Sequence, residues 1–190
     1  MNSLRQNKEI FTALALILLI TASVELWMGR LPLGPDGKFG WWDGNIWGSE
    51  NSQRVADAYS FSHMIHGMLF FGFLWLVAQR IPMRYRFMIA LVLEAGWEIL
   101  ENSPIIINRY REATISIGYC GDSVLNSCSD IVMMSLGFLF ASWARLWAIV
   151  AVILVMEIGC LLWIKDNLTL NIIMLVHPLD AIKAWQSAGH

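Results

Sequence analysis

Charge is what this chain is shortest of. Only 15% of its 190 residues are Asp, Glu, Lys or Arg, while 57% are hydrophobic. Thirteen Lys and Arg stand against fifteen Asp and Glu, a formal net charge of −2. With no basic excess and no basic cluster, there is no sign of nucleic-acid binding, which neutralises phosphates with Lys and Arg. Cysteine is scarce too. Cys120, Cys128 and Cys160 are an odd number without CxxC spacing, so they support neither a disulfide framework nor a zinc site. An HExxH zinc motif, an internal repeat, a low-complexity tract and a soluble domain are all missing. A chain this apolar is not disordered either. Its mean hydropathy of +0.54 exceeds what a water-soluble core of this size uses, and suits a bilayer.

The apolar runs read as an all-α, polytopic membrane bundle of about five transmembrane helices in one domain covering residues 1–190. The expected spans are 10–28, 58–77, 87–102, 123–143 and 146–164, near the ~20 residues a bilayer needs except for the third, which is short and carries carboxylates. The segment 168–176 is apolar but too short to span, and reads as re-entrant or interfacial. The basic start (Arg5, Lys8) ahead of the first run also allows a cleaved signal peptide. Its length through Trp27 favours an uncleaved anchor. Lys and Arg concentrate in the start, at Arg80, Arg84 and Arg86, and at Arg145, which predicts a cytoplasmic N-terminus and a periplasmic C-terminus. Trp27, Trp41, Trp42, Trp47 and Trp163 fall at the expected outer interface. The Gly-rich segment 29–57, with Pro32 and Pro35, is expected to be irregular and surface-lying.

Polar residues inside the spans carry the functional information, because an ionisable group at mid-depth costs at least about 2.5–3.5 kcal/mol. Glu94, Glu98 and Glu101 share one helical stripe. Either they decorate the interface and make structural hydrogen bonds, or a cation, His or Arg sits among them. Tyr59, His63 and His66 share a face at the start of the second span. Such a pair of His can bind a common ligand or simply bond neighbouring carbonyls. Asp122, Asn126 and Ser129 line a stripe at the start of the fourth span, with Asp130 offset and deeper. There Asp122 reads as a helix cap or a site acid. Arg109 and Arg111 read as headgroup anchors or as a clamp for phosphate or carboxylate. With the expected orientation, these groups converge at one depth in the outer half, as one outward-opening pocket with Glu94 near its floor.

The stretches Ser49-Glu-Asn-Ser52, Ser62-His-Met-Ile-His-Gly67, Trp97-Glu-Ile-Leu-Glu-Asn-Ser103, Gly121-Asp-Ser-Val-Leu-Asn-Ser127 and Asp166-Asn-Leu-Thr-Leu-Asn171 resemble an uncharacterised family of small bacterial integral membrane proteins. The resemblance covers nearly the whole chain and implies location and topology, not chemistry. More distantly, the layout is similar to VanZ-like membrane proteins, with a His opening one span, a Glu within the next and Asp-x-x-x-Asn opening a later one. His63, Glu98 and the pair Asp122 and Asn126 occupy those places. That similarity implies a cell-envelope role.

The expected function is a multi-pass plasma-membrane protein whose outward His/Glu/Asp/Asn pocket binds or acts on a lipid headgroup or envelope precursor. His63, Glu98, Glu101 and Asp122 are the candidate catalytic residues. His66, Glu94, Arg109, Arg111, Asn126 and Asp130 are candidate binding residues. A divalent metal ion would take ligands from His63, His66, Glu98, Glu101 and Asp122. Carboxylates with Asn suit Mg²⁺ or Ca²⁺, and His shifts the choice toward Zn²⁺ or Mn²⁺. Ser123, Ser127 and Cys128 sit in no nucleophile pattern. The alternatives are a non-catalytic binding or assembly protein and a small ion-coupled transporter. Membrane lipid is the expected partner. Gly67, Gly72, Gly96 and Gly137 allow close helix contact within the chain or in a homo-oligomer.

Overall fold

The long apolar runs are helices in the computed structural model, which describes residues 2–188, with side chains described from Lys8 onward. Arg5 of the basic start lies outside the described side chains. The helices are α1 (Asn2–Trp27), α2 (Ser60–Val77), α3 (Met83–Glu101), α4 (Pro104–Ala113), α5 (Val124–Trp143), α6 (Leu146–Ile164), α7 (Leu168–Val176) and α8 (Asp180–Ser187). Two-residue strands β1 (Trp42–Asp43) and β2 (Ala56–Asp57) pair in parallel within the first long connection. The protein is an all-α bundle. α1, α2, α5 and α6 are long and apolar enough to cross a membrane. α3 has the length, at 19 residues, but carries Arg84, Arg86, Glu94, Glu98 and Glu101.

Local chemistry sets the boundaries. Ser123 is extended, and its Oγ accepts a hydrogen bond from Asn126 N at 3.2 Å, so Ser123 rather than Asp122 caps α5. Pro104 forces Ser103 out of helical geometry, which separates α3 from α4 and places Pro at the first helical position. α6 stops at Lys165 in a left-handed conformation (φ 55°). Asn167 then caps α7 by accepting from Leu170 N at 2.9 Å.

α2 and α5 are the central pair and run in the same direction. Ser60 meets Asp130 near one end, and Phe71 meets Phe138 edge-on at 5.4 Å further along. α3 packs against α1 and α5. The far end of the bundle is filled by a dry cluster of Leu74, Phe87, Ala90, Leu91, Ile131, Met134 and Phe138. α5 is the buried centre, with 56% of its apolar window buried against 11% for α1 and α6, which therefore present apolar faces outward.

The connection 29–57 is not merely surface-lying. Ser52, Gln53 and Asp57 are buried, and the segment bonds to the start of α5 through Gln53 Nε2 to Gly121 O (2.8 Å), Ser123 N to Ser52 O (3.0 Å) and Val124 N to Leu31 O (2.9 Å). Trp42 stacks on Trp163 at 5.8 Å, tying it to the end of α6. The segment holds these helix ends together because the orphan N–H groups of a helix start need acceptors.

Candidate functional site

α2 supplies two imidazoles to one cluster. His63 Nδ1 lies 2.7 Å from Glu94 Oε1 and 3.2 Å from Glu98 Oε1. His66 Nδ1 lies 3.1 Å from both oxygens of Glu94. The three-and-four-residue spacing of Glu94, Glu98 and Glu101 turns these carboxylates toward α2. Glu94 and Glu98 are fully buried, and Glu101 is partly exposed. From α5, Asp130 Oδ2 stands 3.8 Å from His63 Nε2, while its Oδ1 accepts from Ser60 Oγ at 3.2 Å.

Two groups have ligand atoms lying mutually within 4.8 Å: His63 with Glu98 and Glu101, and His63 with His66 and Glu94. Two ligands of one cation, with bonds of about 2.0–2.5 Å, lie at most about 4–5 Å apart, so either set fits a cation. Glu98 stands out. Neither of its oxygens makes a hydrogen bond among the described residues, and the His63 nitrogen nearest it is already engaged by Glu94. Asp122, expected as a metal ligand, belongs to neither group. It is held instead by Tyr119 OH, which donates to its Oδ1 at 2.9 Å, and by Asn102, whose Oδ1 accepts from Asp122 N at 2.7 Å.

A ring of phenols rims the site. Tyr119 pairs with Asp122, Tyr59 OH donates to Asp166 Oδ2 at 3.1 Å, and Tyr110 lies beside Glu101. Burial, reinforced by the neighbouring carboxylates, raises all three phenols well above their ordinary range, so they remain donors. Burial also pushes Asp122 well up, helped by the charges of Glu101 and Asp130. Asp57 is raised by burial, and its carboxylate accepts from Ser52 N (3.0 Å), Tyr59 N (2.7 Å) and Ser60 N (3.2 Å) at the entry to α2.

A cavity of about 480 Å³ opens beside these groups, within the ~300–1,000 Å³ range of ligand sites; Glu98, and Glu94, expected near the floor, are not among the residues that line it. Asn51, Tyr59, His63, His66, Glu101, Asp122, Asn126 and Asp130 form its polar part. Leu69, Phe70, Leu93, Trp97, Ile172 and Leu175 form an apolar wall. Asn126 also donates from Nδ2 to Arg54 O at 2.9 Å. Arg109 and Arg111, expected as headgroup anchors or as a clamp for phosphate or carboxylate, do not line the cavity. Arg109 Nε donates to Leu175 O (2.8 Å) and Arg111 Nε to Tyr119 O (2.6 Å), so both tie α4 to its neighbours. α7 covers the segment 168–176, expected to be re-entrant or interfacial. It forms one cavity wall, and Glu157 of α6 accepts from Leu168 N and Thr169 N at its start.

Several site residues are not evident from sequence spacing. Asn102 is fully buried and joins three helices, donating from Nδ2 to Ser127 Oγ at 2.9 Å and to Glu25 Oε1 at 3.3 Å. Tyr110 and Tyr119 come from a segment that reads as a basic loop. An amphipathic pattern in 104–113 is the one signal that marks it as helix.

A family described as "Protein of unknown function (DUF2585)" matches residues 25–188. A UPF0314 protein of Sphingopyxis alaskensis is 48% identical, covering 93% of this chain and 94% of its own. One from Rhizobium etli is 48% identical over 96% and 93%. One from Paracoccus denitrificans is 46% identical over 94% and 92%. No solved structure matches. None of these similarities links the chain to the VanZ-like proteins.

Proposed function

We propose that this chain, which belongs to the DUF2585 family, is a multi-pass protein of the bacterial plasma membrane whose outward pocket holds a divalent cation and presents it to the polar head of an envelope lipid or precursor. α3 is the fifth span, with its carboxylates turned into the bundle. The N-terminus is cytoplasmic and the C-terminus periplasmic. The basic residues Lys8, Arg80, Arg84, Arg86 and Arg145 support this orientation, since they gather at the bundle end opposite the pocket. The similarity of His63, Glu98, Asp122 and Asn126 to the VanZ-like pattern supports an envelope role.

One observation carries the proposal: the carboxylate of Glu98 is fully buried and makes no hydrogen bond among the described residues, beside His63 and Glu101. Buried polar groups are paired in the large majority of cases, and each exception needs a reason. A cation supplies the missing partner and offsets the repulsion among Glu94, Glu98, Glu101 and Asp130. No Lys or Arg lines the cavity to do so. His63, Glu98 and Glu101 hold the cation. Glu94 engages Nδ1 of both imidazoles and orients them from behind, as outer carboxylates commonly do for metal-binding His. Asp122, Asn126, Asp130 and Tyr59 face the incoming head. A bound divalent cation would polarise a phosphoryl or carbonyl oxygen, and His66, which is not among the proposed ligands, is placed to move a proton.

A transporter is less well supported. Below Glu94 the described residues between α2, α3 and α5 form an apolar cluster around Leu91, Met134 and Phe138, which does not favour a polar path to the other face. The test is metal analysis of detergent-purified protein after exposure to Zn²⁺, Mn²⁺ and Mg²⁺. We expect a stoichiometric cation in the wild type, lost in Glu98→Gln and His63→Ala. A folded wild type that retains none of the three overturns the cation site. Cysteine accessibility placing positions 101 and 122 on opposite membrane faces overturns the outward pocket.

A further inference from the structure

The apolar half of the cavity reaches the outside of the bundle. Leu69, Leu93 and Ile172 line the cavity, yet are 49%, 45% and 52% exposed. A side chain that both lines a cavity and faces outward stands at its mouth. Leu69 lies roughly 9 Å beyond His63 along α2, and Leu93 roughly 12 Å from Glu101 along α3, at about 1.5 Å per residue. Both displacements lead away from the polar loops and into the apolar length of the helices. The mouth is therefore a side opening between α2 and α3, flanked by α7, at the depth where a bilayer is hydrocarbon. Trp97 and Phe70 continue the apolar wall inward to His66, whose ring meets Trp97 edge-on at 6.5 Å and Phe70 at 6.0 Å. The cavity is thus graded, from hydrocarbon-like at its side mouth to acids and imidazoles at its inner end.

We infer that the ligand is a membrane amphiphile that enters sideways from the lipid, with its apolar chain lying across Leu69, Leu93, Trp97 and Ile172 and its polar head against His63, His66 and Glu101. This rests on the proposed outward cation pocket for the head's partner, and adds the chain seat and the route of entry. A ligand arriving from the aqueous face has no use for a half-exposed leucine mouth at mid-helix. An open slot at that depth in a bilayer would be filled by lipid chains, because leaving apolar surface without contacts forfeits dispersion energy. The absence of cavity-lining Lys or Arg means that a phosphate-bearing head would meet the protein through the cation.

The test uses the full chain in phosphatidylglycerol nanodiscs with a lysophosphatidylglycerol probe bearing a photoreactive diazirine on its acyl chain, followed by peptide mapping. We expect labelling of the peptides containing Leu69, Leu93 and Ile172 at least several-fold above that of the outward face of α6. Leu93→Trp, which narrows the mouth on a lipid-facing position, should bring that labelling down to the α6 level while metal content stays at the wild-type value. Uniform labelling of all outward helix faces, or unchanged cavity labelling in Leu93→Trp, overturns the chain seat. So does displacement of the probe by free glycerol phosphate as effectively as by unlabelled lysolipid. Metal measured on the same samples keeps the two claims apart: cavity labelling in a metal-free wild type overturns the cation and supports the chain seat.

Discussion

Replacing Gly67 by alanine tests the α2–α5 crossing on which the site is built. A Cβ at Gly67 would stand 1.9 Å from Met134 O and 2.5 Å from Phe138 N. Reciprocally, a Cβ at Gly137 would stand 1.9 Å from Met64 O. All of these obstacles are main-chain atoms, so no side chain can rotate out of the way. Ordinary contact begins near 3.4 Å, so the helices must part locally by ~1.5 Å, enough to forfeit much of the dispersion contact around the crossing. Overpacking costs about 1–3 kcal/mol, and a clash against backbone belongs at the upper end. For a chain of this length, about 3 kcal/mol corresponds to a melting temperature lower by roughly 6–12 °C. The assay is thermal unfolding of the detergent-solubilised protein, followed by circular dichroism. Gly72→Ala and Gly159→Ala are the controls, since a Cβ at either meets nothing within 4 Å. They should leave stability unchanged or slightly raised, because Gly is a poorer helix former than Ala. The double variant Gly67→Ala/Gly137→Ala should cost less than the sum of the two, since one separation relieves both clashes. A Gly67→Ala melt indistinguishable from wild type, or a Gly72→Ala equally harmful, refutes the close crossing.

Three further outcomes follow from other contacts. Asn102→Ala leaves Asp122 N, Ser127 Oγ and Glu25 without their partner, and at about 1–3 kcal/mol per orphaned buried group it should be among the most damaging polar substitutions. A melting temperature close to wild type refutes the hub. Glu157→Ala removes the acceptor of the first α7 amides and should cost about 0.5–2 kcal/mol, like loss of a helix cap. Hydrogen exchange should speed up at Leu168 and Thr169 but not in α5, and unchanged exchange at Leu168 counts against it. Burial raises Asp166 from 3.8 to about 6. The folded state therefore holds this proton more tightly than the unfolded chain does. Its stabilising contribution is full below about pH 3.8 and is lost as pH rises through about 6. Asp166→Asn, which imitates the protonated form, should thus gain about 3 kcal/mol relative to wild type between pH 4 and pH 8. A wild-type-to-variant difference that does not move with pH refutes the shift.

Helices whose partners are lipid or a dry core announce themselves by length and hydropathy. The expected spans 58–77, 123–143 and 146–164 agree with α2, α5 and α6 to within two residues. α3 begins four residues earlier than expected because Pro82 starts it while Arg84 and Arg86 still read as loop. What a linear reading misses is structure decided by tertiary contact. α4 looks like a basic loop because its arginines end on backbone carbonyls of α7 and of the turn at Tyr119, partners invisible in sequence. The cap of α5 passes to Ser123 because Tyr119 takes the carboxyl of Asp122 and Asn102 takes its amide. Glu94, Glu98 and the two His could be grouped from spacing, since a stripe on one helix and a stripe on its neighbour must meet somewhere. Asn102 could not, because a single Asn at a helix end has no periodicity to betray it.

The two halves of the bundle divide the work. From Leu74 and Phe87 up to Met134 the interior is apolar and close-packed, and that rigidity fixes the rotation of α2 and α5 through the Gly67 and Gly137 crossing. The polar cluster begins immediately on the other side of that crossing, at His66 and Glu94. A bundle anchored only by polar contacts would relax until Glu98 found a donor. The dry cluster and the crossing prevent that relaxation, and so Glu98 remains buried without one. A buried carboxylate that has only the His63 imidazole beside it and no hydrogen bond among the described residues, held in place by packing elsewhere, is the arrangement expected of a site prepared for a ligand. If the apolar cluster is what enforces it, cavity-forming changes there, such as Phe138→Ala, should loosen the proposed cation retention although Phe138 belongs to the apolar cluster and to neither candidate ligand set. Retention unchanged in a folded but measurably destabilised Phe138→Ala protein would show that the polar cluster holds its own geometry.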